Sequence, residues 1–158
     1  MTISTTTSTT ASMTTSMTGA EREAFLAEPH IGVLSIPDSG KGPLSSPVWY
    51  DYVPGGEVWF LTQKTARKGR LLTVGGRVSL LAQTAASPYR YVSIEGPVSE
   101  IVPADLSADL LPMAQRYLGE QAGKDYAAAL AGKYALGTAI KVMLRPERWL
   151  TVDYAKRG

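Results

Sequence analysis

Five apolar runs, each broken off by turn residues, constrain this chain more than any other feature of it. Residues 31–36, 42–52, 57–62, 77–83 and 89–102 are rich in β-branched and aromatic side chains and are bounded by Gly, Pro, Ser or Asp, the pattern of short strands. Pro37-Asp38-Ser39-Gly40 and Pro54-Gly55-Gly56 carry turn chemistry, so the first three strands read as a meander of hairpins. Glu95-Gly96-Pro97 interrupts the longest run and predicts a bulge or bend of the kind that closes a barrel. Weak alternation over 139–144 and clearer alternation over 148–154 add a last strand or pair of strands. Six or seven short strands of this kind give a mainly β fold with minor α content. The expected form is a small, mostly antiparallel barrel, closed because an open edge leaves backbone groups unpaired.

The remaining segments are helical or unpatterned. Thr18-Gly19-Ala20-Glu21 fits a capping box that opens a helix over 20–27, and Pro29 ends it. Residues 105–118 and 124–130 read as helices stopped by Gly119 and Gly132, with Pro112 shortening or kinking the first. Residues 1–17 are dominated by Thr and Ser without apolar periodicity and cannot offset the entropy of ordering. The expectation is a disordered tail over 1–17 followed by one barrel domain over 18–158.

Composition narrows the function. At 158 residues, 44% hydrophobic and 19% charged, the chain is one domain of ordinary globular make-up. A net charge of +2 argues against a nucleic-acid binder, yet five of the 16 Lys and Arg lie between positions 64 and 77, so a local basic patch is present. Cysteine is absent, which excludes disulfides, thiolate metal sites and thiol nucleophiles. The one histidine, His30, sits at a helix-to-strand junction, where a structural role is expected. No run approaches the roughly 20 apolar residues of a membrane helix, and the amino terminus lacks the order of a secretory signal, so the expected location is the cytoplasm.

The stretch Val58-Trp59-Phe60-Leu61-Thr62-Gln63-Lys64-Thr65-Ala66-Arg67-Lys68-Gly69-Arg70-Leu71-Leu72 runs an apolar strand into a cluster of cations. Guanidinium and ammonium groups gathered at the turn and helix start after a strand suit a phosphate or carboxylate. A solvated basic turn is the plainer alternative.

The order of these motifs resembles a known superfamily. A helix, the His30-Ile31-Gly32-Val33-Leu34 strand, the Gly42-Pro43-Leu44-Ser45-Ser46-Pro47-Val48-Trp49-Tyr50 strand and a Gly-containing turn lead to Thr-x-x-x-x-Arg-Lys-x-Arg-x-Leu. Arg77-Val78-Ser79-Leu80 and Tyr89-Arg90-Tyr91-Val92-Ser93-Ile94-Glu95-Gly96-Pro97-Val98 come next. Over residues 20 to 154 this resembles the split β-barrels: pyridoxamine 5′-phosphate oxidase-like flavoproteins and the flavin/deazaflavin oxidoreductases of actinobacteria. The likeness is greatest to the deazaflavin-dependent branch that binds coenzyme F420, the FDOR-B group. The ending Arg148-Trp149-Leu150-Thr151-Val152-Asp153-Tyr154 departs from the Arg- and Trp-containing carboxyl-terminal motif of true pyridoxamine phosphate oxidases and points away from vitamin B6 oxidation.

The resemblance implies cofactor-binding residues. Arg67 and Lys68 match the family's basic motif for the cofactor phosphate, with Lys64 and Arg70 extending the patch. Ser45, Ser46, Pro47, Val48 and Trp49 match the strand that runs past the ring; for Val48 and Trp49 an ordinary barrel strand is an equal alternative. Thr62 and Gln63 contact the ring edge or end a strand, and Gln83 is a weaker candidate on the same grounds. Trp149 and Tyr154 cover the pocket or belong to the core or an interface. A flavin brings its own redox centre, which suits a chain without an acid–base constellation; no catalytic side chain is assigned. The implied activity is hydride transfer between reduced coenzyme F420 and a small unsaturated organic substrate. FMN chemistry on the same barrel is one alternative, and a non-catalytic carrier of flavin, haem or lipid is the other. A homodimer with cofactor sites at its interface completes the expectation.

Overall fold

A computed structural model describes residues 14–157. Helix α1 (Gly19–Ala27) starts on the expected capping box: the Glu21 N–H donates to the Thr18 hydroxyl, and the Thr18 N–H donates to the Glu21 carboxylate at 2.7 Å. Strands β1 (Gly32–Ile36), β2 (Leu44–Val48), β3 (Tyr50–Tyr52) and β4 (Val58–Gln63) come after it, then the short helix α2 (Arg67–Leu71). Next are β5 (Arg77–Gln83) and the long β6 (Arg90–Pro103). A π-helical turn (Leu106–Leu110) leads into α3 (Leu111–Leu118) and α4 (Glu120–Ala135), and β7 (Ala139–Leu144) and β8 (Arg148–Asp153) end the fold before a 3₁₀ turn at Tyr154–Arg157.

The fold is a mainly β, antiparallel sheet curled into a half-barrel. Its eight strands run β2-β1-β5-β6-β7-β4-β3, with β8 added alongside β6. β6 is long enough to serve both halves: residues 91–97 pair with β5 and 90–95 with β8, whereas residues from Val98 onward pair with β7, with a register shift between Val98 and Glu100. The irregularity therefore falls just beyond the Glu95-Gly96-Pro97 segment expected to carry it. Gly96 has a different task. A Cβ there would meet the Arg145 carbonyl at 1.8 Å, so the β7–β8 turn can cross β6 only where a side chain is missing.

The expected single strand over 42–52 is two strands. β2 pairs with β1 at one edge of the sheet, β3 pairs with β4 at the other, and Trp49 joins them outside both ladders. Both expected hairpins form, β1–β2 across the 37–43 turn and β3–β4 across the 53–57 turn, but on opposite edges of the sheet; the continuous chain bridges the two edges, leaving a seam at Trp49. The curled sheet wraps a core of Leu34, Tyr50, Phe60, Leu80, Ile94 and Val142, each completely buried, and α1 adds Phe25 and Leu26 at one end. Tyr50 ties that end shut by donating its hydroxyl to the Leu26 carbonyl at 2.9 Å.

The helices also depart from expectation. The helix expected over 105–118 changes pitch, with the π turn running directly into α3 and Pro112 sitting in the first turn of α3, at the change of pitch. The one expected over 124–130 runs from Glu120 to Ala135 and passes through Gly132; Gly137, at φ +66°, comes two residues after its end. A glycine in an exposed helix costs about 1 kcal/mol, which packing of the rest of α4 outweighs. Gly123 is needed: a Cβ would lie 2.6 Å from the Gln115 backbone, so α3 and α4 cross in close contact.

Residues 1–13, most of the expected tail, lie outside the described residues. Residues 14–17, placed in that tail by composition, run beside β8 instead: the Asp153 N–H donates to the Thr15 carbonyl, the Met17 N–H to the Thr151 hydroxyl, and Met17 packs on the core. Backbone pairing with an edge strand orders a segment that its side chains alone would not.

Candidate functional site

The seam opens into a cavity of about 510 Å³. One wall comes from the sheet and its connections, with Pro47, Val48 and Trp49 at the seam, Leu61, Thr62 and Gln63 at the end of β4, and Ala66 and Lys68 from the turn and α2. The facing wall is helical, with Leu110, Met113, Tyr126, Leu130 and Tyr134; Ile31 closes a corner. Among the described residues lining it, Lys68 is the one that carries charge.

Each wall is held by identifiable contacts. α2 packs directly on the end of β4, because Gly69 presents no Cβ where one would meet the Gln63 carbonyl at 2.2 Å. That approach carries Lys68 to the cavity, where its ammonium donates to the Ser46 hydroxyl at 3.1 Å. Burial alone holds the Lys68 ammonium below the usual lysine range. Among the described residues it has no ion-pairing carboxylate. Gln63 is fixed by the Thr138 hydroxyl, which donates to its Oε1 at 2.6 Å, while the Lys64 N–H donates to the Thr138 carbonyl at 2.7 Å. On the helical side, Asp105 caps the π turn through the Ser107 and Ala108 N–H groups, and the buried Asp109 pairs with Lys141 of β7 at 2.8 Å. Leu110 and Met113 are thereby anchored to the sheet. Along α4, Tyr126, Leu130 and Tyr134 fall at i, i+4 and i+8, one stripe facing the cavity.

Trp49 sits between the walls. Its ring lies parallel to that of Tyr117, 5.1 Å between centroids and 5° between planes, and tilted against Tyr126 at 5.2 Å. The Tyr117 hydroxyl accepts from the Tyr50 N–H at 3.1 Å and reaches the His30 carbonyl at 2.7 Å. Burial holds this phenol above the usual tyrosine range, so it keeps its proton for the carbonyl.

The residues expected at the site divide into three groups. Pro47, Val48, Trp49, Thr62, Gln63 and Lys68 line the cavity. Ser46 stands behind Lys68, and Ser45 faces Ser35 on the neighbouring strand, their hydroxyls 3.4 Å apart. Arg67, Lys64 and Gln83 do not line it. Arg67 is exposed and bonded to Asp38 of the β1–β2 turn at 2.7 Å, which pulls the Asp38 carboxyl below its usual range. Lys64 is exposed, and Gln83 is exposed at the end of β5, one residue past the Gly32–Ala82 pair. Trp149 lies apart from the cavity, with the Arg22 guanidinium 4.4 Å above its ring and Tyr52 at its edge. His30 is structural, stacked on Phe25 at 4.3 Å; its Nε2 is 3.1 Å from the Glu28 carboxylate, and burial lowers its basicity. The entire helical wall escaped sequence reading. Only the i, i+4, i+8 spacing of Tyr126, Leu130 and Tyr134 signalled it, and that spacing is equally a core stripe.

The fold is a split β-barrel, a curled antiparallel half-barrel whose cavity lies at the break between β2 and β3. Residues 18–153 match the family of pyridoxamine 5′-phosphate oxidase, and the chain belongs to it. Among solved structures, a conserved hypothetical protein from Mycobacterium tuberculosis is 25% identical with a TM-score of 0.68, covering 90% of this chain and 88% of its own. An F420 reductase is similar at 23% identity and a TM-score of 0.64, over 81% of this chain and 94% of that one. A haem storage protein from Vibrio cholerae shares the fold at 19% identity and 0.59, over 85% and 93%. A comparison with curated proteins finds no match. Among the described residues no helix is long and apolar enough to cross a membrane, and no group of acidic or histidine side chains is placed to hold a metal.

Proposed function

We propose that this chain is an F420-dependent oxidoreductase that moves a hydride between the reduced deazaflavin and a small unsaturated organic substrate. One observation carries the reading: a largely apolar cavity whose lining charge is the half-buried Lys68, a cation that meets no carboxylate among the described residues. An anion relieves that burial cost; a purely apolar ligand does not. The residues fit the group. A volume of about 510 Å³ is within the ordinary range for a cofactor or ligand site, Pro47, Val48 and Trp49 supply apolar lining for the ring, and Lys68 suits the phosphate. When bound, the deazaflavin supplies the carbon that gives or takes the hydride. The protein's share is to orient the ring along β2, neutralise its tail and keep water from the reacting face. The similarity to an F420 reductase supports the same reading.

Lys64, Arg67 and Arg70 lie exposed around α2, within the region a longer polyanionic tail would follow. FMN is the second reading, favoured by the single cation in the cavity lining, which matches a single phosphate. Titration with F420, FMN and FAD, followed by Trp fluorescence, separates them because Trp49 lines the cavity. Tightest binding of F420 is expected; quenching by FMN alone overturns the reading.

The dimer belongs to the same proposal. Register puts Pro47, Val33, Leu81, Ser93 and Leu150 in one row on the sheet face opposite the core, with Leu150 61% exposed. This row reaches the seam through Pro47, so a second copy docked on it would complete the cavity's edge.

A further inference from the structure

We infer that the helical wall of the cavity is the substrate wall, and that the Tyr134 hydroxyl is the donor that orients a flat, largely apolar substrate through an sp² oxygen, a carbonyl or nitro group. The inference rests on the cavity being the site of hydride transfer. Its ground is the asymmetry of the two walls. The charge, Lys68, and the fixed polar groups Thr62 and Gln63 are all on the sheet side, while the helical side contributes Leu110, Met113, Tyr126, Leu130 and Tyr134. An anionic cofactor tail therefore belongs to the sheet side, and whatever meets the ring from the other face meets hydrocarbon, aromatic rings and phenol hydroxyls. Of the two phenols, Tyr126 is engaged by its ring against Trp49 and is 40% exposed. Tyr134 is less exposed, and among the described residues its hydroxyl makes no hydrogen bond.

Burial pushes the Tyr134 phenol up to about 12, so it keeps its proton throughout the neutral range. A protonated hydroxyl on a residue that lines a mostly apolar cavity gains a hydrogen bond from an acceptor that reaches it and nothing from a hydrocarbon. That makes it a selector for oxygen-bearing flat molecules and fixes which way round they lie. One donor at a set place on α4 turns a slot that admits a flat molecule in several orientations into one that holds a preferred pose.

The test compares acetophenone with α-methylstyrene, which share a shape and differ by C=O in place of C=CH₂. Calorimetric affinities are measured for the full chain, for Tyr134→Phe and for Tyr126→Phe, each with and without F420. The unaltered chain should prefer acetophenone by about two- to tenfold, the worth of one hydrogen bond. Tyr134→Phe should reduce the preference below about twofold while leaving α-methylstyrene affinity unchanged, and Tyr126→Phe should retain it. Equal binding of the two probes by the unaltered chain, a preference that survives Tyr134→Phe, or loss of both probes together in that variant would overturn the inference. F420 affinity in Tyr134→Phe should match the unaltered chain; a drop would assign the hydroxyl to the cofactor and overturn it as well. If the unaltered chain fails to bind F420 yet discriminates the probes through Tyr134, the cofactor reading fails and the orienting role stands.

Discussion

Trp49 lies flat against Tyr117, ring planes 5° apart, at the one point where the strand joining the two edges of the sheet leaves both ladders. The stack and the Tyr117 hydroxyl together replace the strand pairing found elsewhere, because the hydroxyl accepts from the Tyr50 N–H and reaches the His30 carbonyl. Tyr117→Phe keeps the stack and orphans those partly buried backbone groups. It should lower unfolding free energy by about 1–3 kcal/mol, read by denaturant titration. A loss within a few tenths would mean that water or another group satisfies the seam.

Lys68→Ala should weaken F420 binding by about 1.5–3 kcal/mol, the range for a charge-assisted contact. The pH dependence has a definite sign. With the ammonium held below its usual range by burial, anion affinity should fall as pH rises through that lowered value. Stability of the free protein should rise over the interval up to the ordinary lysine value, since the unfolded chain binds the proton more readily there. Lys68→Arg should move the fall in affinity to higher pH. An affinity flat from neutral to alkaline pH would remove Lys68 from the site.

Arg67 should matter less than its neighbour. It is 55% exposed at the side chain and already paired with Asp38, so Arg67→Ala should cost well under 1 kcal/mol of stability. The Asp38 carboxyl should move back up toward its ordinary range, a change visible by NMR titration. A larger loss of F420 affinity for Arg67→Ala than for Lys68→Ala would reverse the assignment.

Gly69→Ala tests the geometry that carries Lys68 inward. The added methyl would meet the Gln63 and Lys64 carbonyls at 2.2 and 2.9 Å, so α2 must move off the end of β4. A destabilisation of about 1–3 kcal/mol is expected, as for overpacking elsewhere, accompanied by reduced cofactor affinity although no charge has changed.

Leu150→Glu addresses the proposed dimer. Sedimentation of the unaltered chain at micromolar concentration should give a dimer, and the variant should shift it toward monomer with little loss of protomer stability, because Leu150 is 61% exposed. A monomeric unaltered chain that binds F420 with full affinity would leave a single-chain pocket.

What was legible in the sequence is local. The Thr18/Glu21 capping box, the strands over 77–83 and 139–144 and the structural His30 arise from caps, alternation and neighbouring residues, and each stands as expected. The order of motifs was enough for the family, and the expected run Pro47-Val48-Trp49 with Thr62, Gln63 and Lys68 lines one cavity. Tertiary structure decided the rest. Composition cannot tell that residues 42–52 serve two sheet edges, since both halves are equally good strands and only closure of the curled sheet forces the break at Trp49. Nor can it separate Lys68 from Arg67, adjacent cations of which one is turned to Ser46 at the cavity and the other to Asp38 on the outside. The helical wall was hidden for the same reason: an apolar stripe on α4 reads identically whether it covers a core or a cavity, and what distinguishes them is the space left between α4 and the seam, which no single segment encodes.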